Sequence, residues 1–169
     1  MTSDDLQSLA ATLELVALIA CAILFIVWFA PAYRNLRVLG VPDLRFGPGW
    51  AIGAWFVPVL NLWRPKQIAN DIWRGSDPEA PASLAGELQL RPVAPLVTGW
   101  WAAWIVSGVI GTVFAVVWAD SDLESLRSAA TWEIVAELVG ILAAGLAMAL
   151  VRRVTSMQAA RHARLTDTA

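Results

Sequence analysis

The chain has 169 residues, of which 58% are apolar and 15% are charged, whereas a soluble domain is typically about 45–50% apolar and about 25% charged. This excess, gathered in long apolar runs, excludes an ordinary water-soluble fold. The net charge of -2 excludes the strongly basic surface of a nucleic-acid-binding domain, so no nucleic-acid partner is expected. The single cysteine, Cys21, excludes an intrachain disulfide and a cysteine metal cluster. We therefore predict an integral membrane protein.

Three apolar runs are long enough to span a bilayer, which takes about 20 residues of helix. They cover residues 8–30, 93–119 and 129–151, and we expect Pro31 to close the first and the pair Arg152 and Arg153 to close the third. Backbone polar groups in lipid are satisfied within a helix. The sequence therefore predicts an all-α, polytopic membrane protein with three spanning helices. We expect the first run to be a retained anchor, because no basic residue precedes it as in a signal peptide.

A fourth apolar run, Trp50 to Leu60, is too short to span. It follows Gly47-Pro48-Gly49 and is interrupted by Pro58, and as a helix it would reach about 16 Å. Runs of this length are more often re-entrant, interfacial or buried than spanning. We predict a re-entrant or short fourth membrane segment over residues 49–63.

The distribution of basic residues favours a half-crossing. If residues 49–63 enter and leave on one side, 11 of the 12 basic residues share that side; a full crossing gives at best 8 and 4. The positive-inside rule prefers the first arrangement. We therefore expect a multi-pass protein of the cell membrane with its N-terminus outside and its C-terminus in the cytoplasm, and keep a full crossing as the alternative.

Local signals mark the predicted helix ends. Ser3 followed by Asp4 and Asp5 is typical of a helix N-terminus, because acids favour the positive end of the helix dipole. Ser121 with Glu124 three residues later is a capping-box pattern that we expect to start the last helix.

An interfacial amphipathic helix is predicted at residues 65–74, with Pro65 in its first turn and Gly75 after it. We expect it to lie flat on the cytoplasmic membrane surface, because its apolar and polar residues separate onto two faces. Residues 76–92 are expected to be a surface linker and residues 152–169 a basic cytoplasmic tail. The polar face of the predicted helix consists of Gln67, Asn70, Asp71 and Arg74.

The residues around the short run resemble a family signature. The chain carries YRNLR at 33–37, LG at 39–40, RF at 45–46, PGWA at 48–51, WFVP at 55–58 and NLWRP at 61–65. These strings resemble domain of unknown function 4328, a family of uncharacterised membrane proteins from bacteria, mostly actinobacteria. The resemblance is close over residues 28–73 and extends to the last two spans only as a hydrophobic pattern. It implies a bacterial membrane protein and brings no activity with it.

Tryptophan is abundant, with ten residues. Most are expected near the membrane boundaries, where the amphipathic indole ring is favoured. Trp55 and Trp104 fall deeper, and Trp100 lies one turn before Trp104. These three rings are candidates for an aromatic pocket that takes a flat apolar ligand or a lipid tail, although tight packing explains them equally well.

Three acids, Glu14, Glu133 and Glu137, lie within the apolar runs. In the preferred topology Glu14 and Glu137 both lie about 9 Å inside the outer ends of their helices, where they could meet. Acids at membrane depth are costly and often mark proton or cation sites. The alternative is that their carboxyl groups are protonated or snorkel to the interface and hydrogen-bond between helices.

Basic residues flank the short run on both sides and could converge at its mouth. Such juxtamembrane clusters attract anionic lipid headgroups by about 1 kcal/mol per charge; an orientation signal without a binding role is the alternative. Asn61, where the run ends, is expected to cap a backbone amide, with ligand binding as the second interpretation. The candidates for a headgroup or phosphate site are Arg34, Arg37, Arg45, Arg64, Lys66 and Arg74.

The sequence shows no phosphate loop, metal-ligand cluster or serine elbow, so we expect neither a cofactor nor an enzyme. Small residues at Ser107 and Gly111, and at Ala136, Gly140 and Ala144, suit close helix packing within the chain, in a homo-oligomer or with a membrane-protein partner. We predict a non-enzymatic module that binds membrane lipids, including anionic ones, or associates with itself or a partner. The alternatives are an oligomeric permeation or transport element for an ion, a proton or a small molecule, and then an enzyme acting on lipid.

Overall fold

The computed structural model describes residues 2–41, 44–79, 87–117 and 126–167. Three of its helices are long and apolar enough to cross a membrane, over Asp5–Val38, Pro95–Val113 and Thr131–Asp167, which confirms the prediction of an all-α chain with three membrane-length helices. In chain order the helices are α1 (Ser3–Val38), α2 (Trp50–Gly53), α3 (Arg64–Ser76), α4 (Pro95–Val117) and α5 (Leu126–Asp167), with 3-10 turns at Leu60–Leu62 and Glu87–Leu90.

Helix α1 begins with a capping box one residue before the predicted cap. The Thr2 hydroxyl accepts a hydrogen bond from the Asp5 N–H at 3.3 Å, and the Asp5 carboxylate accepts one from the Thr2 N–H at 2.8 Å. Thr2 is therefore the N-cap and Asp5 the acid of the box, which satisfies two of the N–H groups that a helix start leaves without partners.

The same helix continues beyond its predicted end, through Pro31 to Val38. A proline inside a helix removes one backbone hydrogen bond. However, Phe29, Tyr33 and Leu36 are fully buried on either side of it, and this packing holds the helix together. The helix ends before Gly40, whose positive φ of 82° lets the Val41 N–H donate to the Leu36 carbonyl at 2.9 Å.

Helix α5 also continues beyond its predicted end at Arg152 and Arg153, as far as Asp167. The residues predicted to be a basic tail are therefore mostly helical. Val154, Met157 and Arg161 are buried at helical spacing, so this extension is part of the packed structure. The predicted capping box of Ser121 and Glu124 lies outside the described residues.

Residues 49–63, which we call the broken segment, are not one regular helix. Helix α2 is followed by turns that contain Pro58 and by the 3-10 turn Leu60–Leu62. Turn-like hydrogen bonds, such as Asn61 N–H to the Val57 carbonyl at 2.8 Å, keep the segment compact. Helix α2 packs on α1, and Ala51 and Ala54 are fully buried. Neighbouring protein thus covers the first part of the broken segment.

Helix α3 lies where the amphipathic helix was predicted, but two residues of its polar face are buried. Asp71 is 1% exposed and Arg74 is 8% exposed. The physical reason is that α3 contacts three other helices, α1, α4 and α5, so both of its faces meet protein. Gly75 is the second-last residue of the helix and not the residue that ends it.

The predicted linker 76–92 is partly structured. Its first residue, Ser76, ends α3, and Glu87–Leu90 form a 3-10 turn. Leu88 is buried and belongs to the hydrophobic core. Residues 80–86 lie outside the described part of the chain.

The core is concentrated at one end of the long helices, which we call the core end. It joins the C-terminal part of α1, helix α3, the start of α4 and the C-terminal part of α5. Because α1 ends here and α4 begins here, the chain between them leaves and rejoins the long helices at the same end. The largest buried side chains are Phe29, Tyr33, Leu36, Ile68, Ile72, Val97, Leu150 and Val154.

Away from the core end the long helices present apolar side chains outward. Every residue of α1 from Asp5 to Leu24 is exposed, including Leu18 at 61% and Leu24 at 67%. Apolar exposure over this length is typical of a surface that lipid acyl chains cover.

The glycines in the predicted stripes of small residues do not touch a neighbouring helix closely. A Cβ placed on Gly140 would meet no atom within 4 Å, and the same holds for Gly111 on α4. Among the described residues, no neighbouring helix therefore approaches these two glycines as closely as their small size would allow. Association with a second molecule stays a prediction.

Candidate functional site

Trp55 in the broken segment is the centre of an aromatic cluster at the core end. Its ring centre lies 5.7 Å from that of Trp104 and 6.4 Å from that of Trp100, so the structure brings together the three rings predicted to line a pocket. Phe25 and Phe29 of α1 approach the Trp55 ring at 5.8 Å each. Rings at these distances pack directly on one another. The cluster is a packed junction that joins the broken segment to α1 and α4.

Beside this junction, two arginines, Arg45 and Arg74, act on the carboxylate of Asp71, and a third, Arg64, shares the Phe46 ring with Arg45. We call Arg45, Arg64, Arg74 and Asp71 the basic cluster. Arg45 Nη2 lies 3.6 Å from Asp71 Oδ1. Arg74 follows Asp71 by one helical turn and interacts electrostatically with both Asp71 and Arg45. The cluster thus brings together the loop before α2 and two ends of α3, and its cations outnumber its anion.

Aromatic rings hold the guanidinium of Arg64. Its central carbon lies 4.6 Å from the centre of the Phe46 ring and 4.2 Å from the Trp50 ring. The Arg45 guanidinium lies 5.8 Å from the same Phe46 ring. A cation over an aromatic face is attracted by the ring quadrupole, so the Phe46 ring attracts both arginines.

Tyr33 anchors the loop that carries Arg45. The Tyr33 hydroxyl donates to the Phe46 carbonyl and accepts from the Phe46 N–H, both at 3.1 Å. Tyr33 itself is fully buried in the core. The position of Phe46, and with it the aromatic support of the basic cluster, is therefore set by α1.

Several buried polar atoms in and next to the basic cluster have no hydrogen-bond partner among the described residues. Both carboxylate oxygens of Asp71, the Nε of Arg64 and the Nε of Arg74 are in this state, as are Asn61 Oδ1 and Asn70 Oδ1. Leaving such a group unsatisfied costs about 1–3 kcal/mol. A concentration of them is what a site completed by a polar ligand would show.

Burial dominates the acid–base properties of the cluster. It raises the pKa of Asp71 from 3.8 to about 6, although Arg45 and Arg74 act in the opposite direction. Burial also lowers the pKa of Arg74. Asp71 has a cation 3.6 Å away but accepts no hydrogen bond. Its carboxylate therefore recovers only part of the solvation energy that burial removes.

The structure does not form the cap expected from Asn61. Its Oδ1 is buried and accepts no hydrogen bond from the described residues, and α3 starts after Trp63 without a side-chain cap. Trp55 Nε1, in the same broken segment, is likewise buried without an acceptor.

The other three predicted headgroup residues lie apart from the basic cluster. Arg34 and Arg37 are exposed on the last turns of α1, and Lys66 is half-buried on α3. In the part of the chain that the structure describes, no hydrogen bond or ion pair connects them to Asp71. The structure thus brings together three of the six predicted residues.

The predicted intramembrane acids do not form a cluster. Glu14, Glu133 and Glu137 are all exposed on their helices. Across the described ranges, no group of three or more His, Cys, Asp or Glu side chains is placed to hold a metal ion.

Sequence reasoning missed a second polar junction, where α5 is tied to the ends of α1 and α3. Gln158 Nε2 donates to the Ala32 carbonyl at 2.9 Å and to Ser76 Oγ at 3.0 Å. Arg161 is 4% exposed and donates to the carbonyls of Leu39 and Asp77, both at 2.9 Å. The spacing of apolar Val154 and Met157 before Arg161 in the sequence was the signal that could have found it.

Next to this junction, α1 and α5 border an open groove of about 580 Å³. Pro31 and Ala159 are among the residues that line it. A hydrogen bond from Trp28 Nε1 on α1 to Thr155 Oγ1 on α5, 3.2 Å long, joins the two helices. The groove shares no lining residue with the basic cluster.

The family model for a domain of unknown function, DUF4328, matches residues 1–156, which is nearly the whole chain and extends well beyond the 28–73 region that carries the signature. No curated protein matches the chain, and no solved structure matches it.

Proposed function

Since the chain belongs to this family of unknown function, we propose its role from the geometry of the basic cluster: it is a non-enzymatic module of the cell membrane that binds the phosphate of a lipid headgroup. One observation carries the proposal. Arg45 and Arg74 act on the buried carboxylate of Asp71, Arg64 shares the Phe46 ring with Arg45, and Arg64 and Arg74 each have a buried Nε–H without an acceptor.

The arrangement of Arg64 supports phosphate binding. Its guanidinium is held against Phe46 and Trp50, which limits the conformational freedom lost when a ligand binds. A guanidinium presents planar donors that match phosphate oxygens in pairs. Arg64 therefore supplies oriented donors, and the excess positive charge of the cluster favours an anionic acceptor.

We also propose that the broken segment half-crosses the membrane and returns. Arg45 precedes the segment and Asp71 follows it, yet their side chains lie 3.6 Å apart. Trp55 packs on Phe25 and Trp104, which lie about 20 Å from the C-terminus of α1 and about 14 Å from the start of α4 along their helices. The hydrocarbon layer is about 30 Å thick, so this depth supports a turn near its middle.

Orientation follows from the same proposal. With both flanks of the broken segment on one side, the positive-inside rule puts the core end in the cytoplasm and the N-terminus outside. The basic cluster then lies at the cytoplasmic headgroup level, where anionic lipids act on basic residues.

Native mass spectrometry of the protein in dodecyl maltoside, which has no phosphate, tests lipid binding. Phosphatidylglycerol is titrated into wild type, Arg64→Ala and a matched control, Arg153→Ala, which removes an exposed charge from α5. Loss of a charge-assisted hydrogen bond costs about 1.5–3 kcal/mol, so we expect Arg64→Ala to weaken binding about tenfold and the control to bind as wild type does. Equal weakening by both variants would show only general charge attraction and would overturn the proposal.

A further inference from the structure

The unpartnered atoms of the basic cluster are of two kinds. Arg64 Nε and Arg74 Nε are donors without acceptors, whereas both oxygens of Asp71 are acceptors without hydrogen-bond donors. A ligand that offers only anionic oxygens satisfies the arginines. It leaves the Asp71 oxygens unsatisfied and adds negative charge beside a buried carboxylate, which is unfavourable.

We propose that the headgroup recognised by the basic cluster is zwitterionic, a phosphoethanolamine group whose phosphate binds Arg64 and Arg45 and whose ammonium donates to Asp71. This inference rests on the proposed function and names its ligand class. An ammonium has three N–H donors, and they match the acceptors that Asp71 offers.

The spacing of the cluster fits such a ligand. Arg45 Nη2 and Asp71 Oδ1 are 3.6 Å apart, so the positions for an anionic and a cationic group are adjacent, as they are in a phosphate joined to an amine by two carbons. Asn70 Oδ1, next to Asp71 in sequence, is a further buried acceptor without a donor.

Movement of the Arg45 side chain would give a ligand access to Asp71. Its side chain is 27% exposed, against 1% for Asp71, and no hydrogen bond holds it to the carboxylate. It lies in a loop and has a long flexible side chain, so its guanidinium can move toward the incoming phosphate. The ammonium then replaces it beside Asp71, and each charged group keeps an oppositely charged neighbour.

The same chemistry distinguishes related lipids. Successive N-methylation of phosphatidylethanolamine removes one N–H donor at a time and ends in phosphatidylcholine, which keeps the positive charge but has no donor. Phosphatidylglycerol keeps the phosphate and has no cation. The cluster should therefore bind phosphatidylethanolamine best, the monomethyl and dimethyl forms less, and the other two least.

The experiment uses native mass spectrometry of the full chain in dodecyl maltoside, with equal amounts of two lipids in competition. In wild type we expect phosphatidylethanolamine to be preferred over phosphatidylcholine and over phosphatidylglycerol by about tenfold, the difference expected when a charged hydrogen bond is lost. Asp71→Asn should abolish the preference, and Arg153→Ala should retain it. The methylation series in wild type tests the same preference without any substitution.

A soluble arm with O-phosphoethanolamine separates the two sources of this group. Binding of the free compound assigns a soluble ligand, binding of the phospholipid alone assigns a lipid, and either result supports a phosphoethanolamine site. If wild type binds phosphatidylglycerol as tightly as phosphatidylethanolamine and Arg64→Ala weakens the binding of both, the zwitterionic ligand is wrong and the proposed function stands. Binding that Arg64→Ala does not change overturns both.

Discussion

Arg45 Nη2 lies 3.6 Å from Asp71 Oδ1, although the broken segment and half of α3 separate the two residues in the chain. The pair joins the loop before α2 to a helix packed on α1, α4 and α5. It therefore brings residues before and after the broken segment next to each other. It also places a charged pair at a buried position, where charge is retained at a cost.

Asp71 should make the stability of the protein depend on pH. Because its folded pKa is raised from 3.8 to about 6, the folded state binds more protons than the unfolded state between these values, and stability falls as pH rises from about 4 to about 6. The shift corresponds to at most about 3 kcal/mol. Asp71→Asn should be more stable than wild type at pH 7.5 and similar to it at pH 4.

Thermal unfolding in detergent, followed by tryptophan fluorescence at both pH values, measures this difference. The other titrating groups are shared by the two proteins, so the difference between them isolates Asp71. If wild type instead gains stability relative to Asp71→Asn as pH rises, the arginines lower the pKa of Asp71 more than burial raises it. That result would contradict the prediction.

Arg161 should stabilise the core end. Its two hydrogen bonds to the Leu39 and Asp77 carbonyls are made by a buried cation, and each such bond contributes about 1.5–3 kcal/mol. Arg161→Gln should lower the free energy of unfolding by about 2 kcal/mol or more. The matched variant Arg153→Gln, at an exposed position of the same helix, should change it little, and an equal loss in both would argue against the junction.

Gly75 is a position where a side chain does not fit. An added Cβ would lie 2.9 Å from Leu36 Cδ2 and 3.3 Å from Val41 Cγ2, and both neighbours are buried. Gly75→Ala should therefore lower the unfolding midpoint, at a cost of about 1–3 kcal/mol. Gly53→Ala is the control, because its nearest atom would be at 3.9 Å; a midpoint for Gly75→Ala equal to that control would contradict the close packing of α1 and α3.

The depth of the broken segment can be measured at Phe56, which is 72% exposed beside the buried aromatic cluster. With Cys21 replaced by Ser, a spin label at Phe56→Cys should be more accessible to oxygen than to a polar nickel reagent. Its depth should resemble that of a label at Val106→Cys on α4. A depth equal to that of Val38→Cys, near the end of α1, would place the broken segment at the surface.

The long helices were predictable because lipid restricts an apolar run of about 20 residues to a helix. Their C-terminal extensions were not, since Pro31 and the pair Arg152 and Arg153 are strong local stop signals. Burial of Tyr33 and Val154 overrides them, and such tertiary packing is absent from any local pattern.

The candidate site was predictable in part. Basic residues on both sides of a short apolar run indicated convergence, and Arg45, Arg64 and Arg74 do converge. The burial of Asp71 was missed because a two-faced helix pattern assumes one protein surface and one water surface, whereas α3 packs against three helices. Arg161 was missed because its acceptors are carbonyls near the C-termini of α1 and α3, whose positions depend on where those helices end.

Cysteine accessibility from the two sides of the membrane tests the half-crossing most directly. In a Cys21→Ser background, single cysteines at Val38, before the broken segment, and at Gln89, after it, are treated with an impermeant thiol reagent in intact cells and in inverted vesicles. We predict that both react only in inverted vesicles, whereas a control cysteine at Gln7 reacts in intact cells. Reaction of Val38→Cys and Gln89→Cys from opposite sides would contradict the turn and the shared headgroup site.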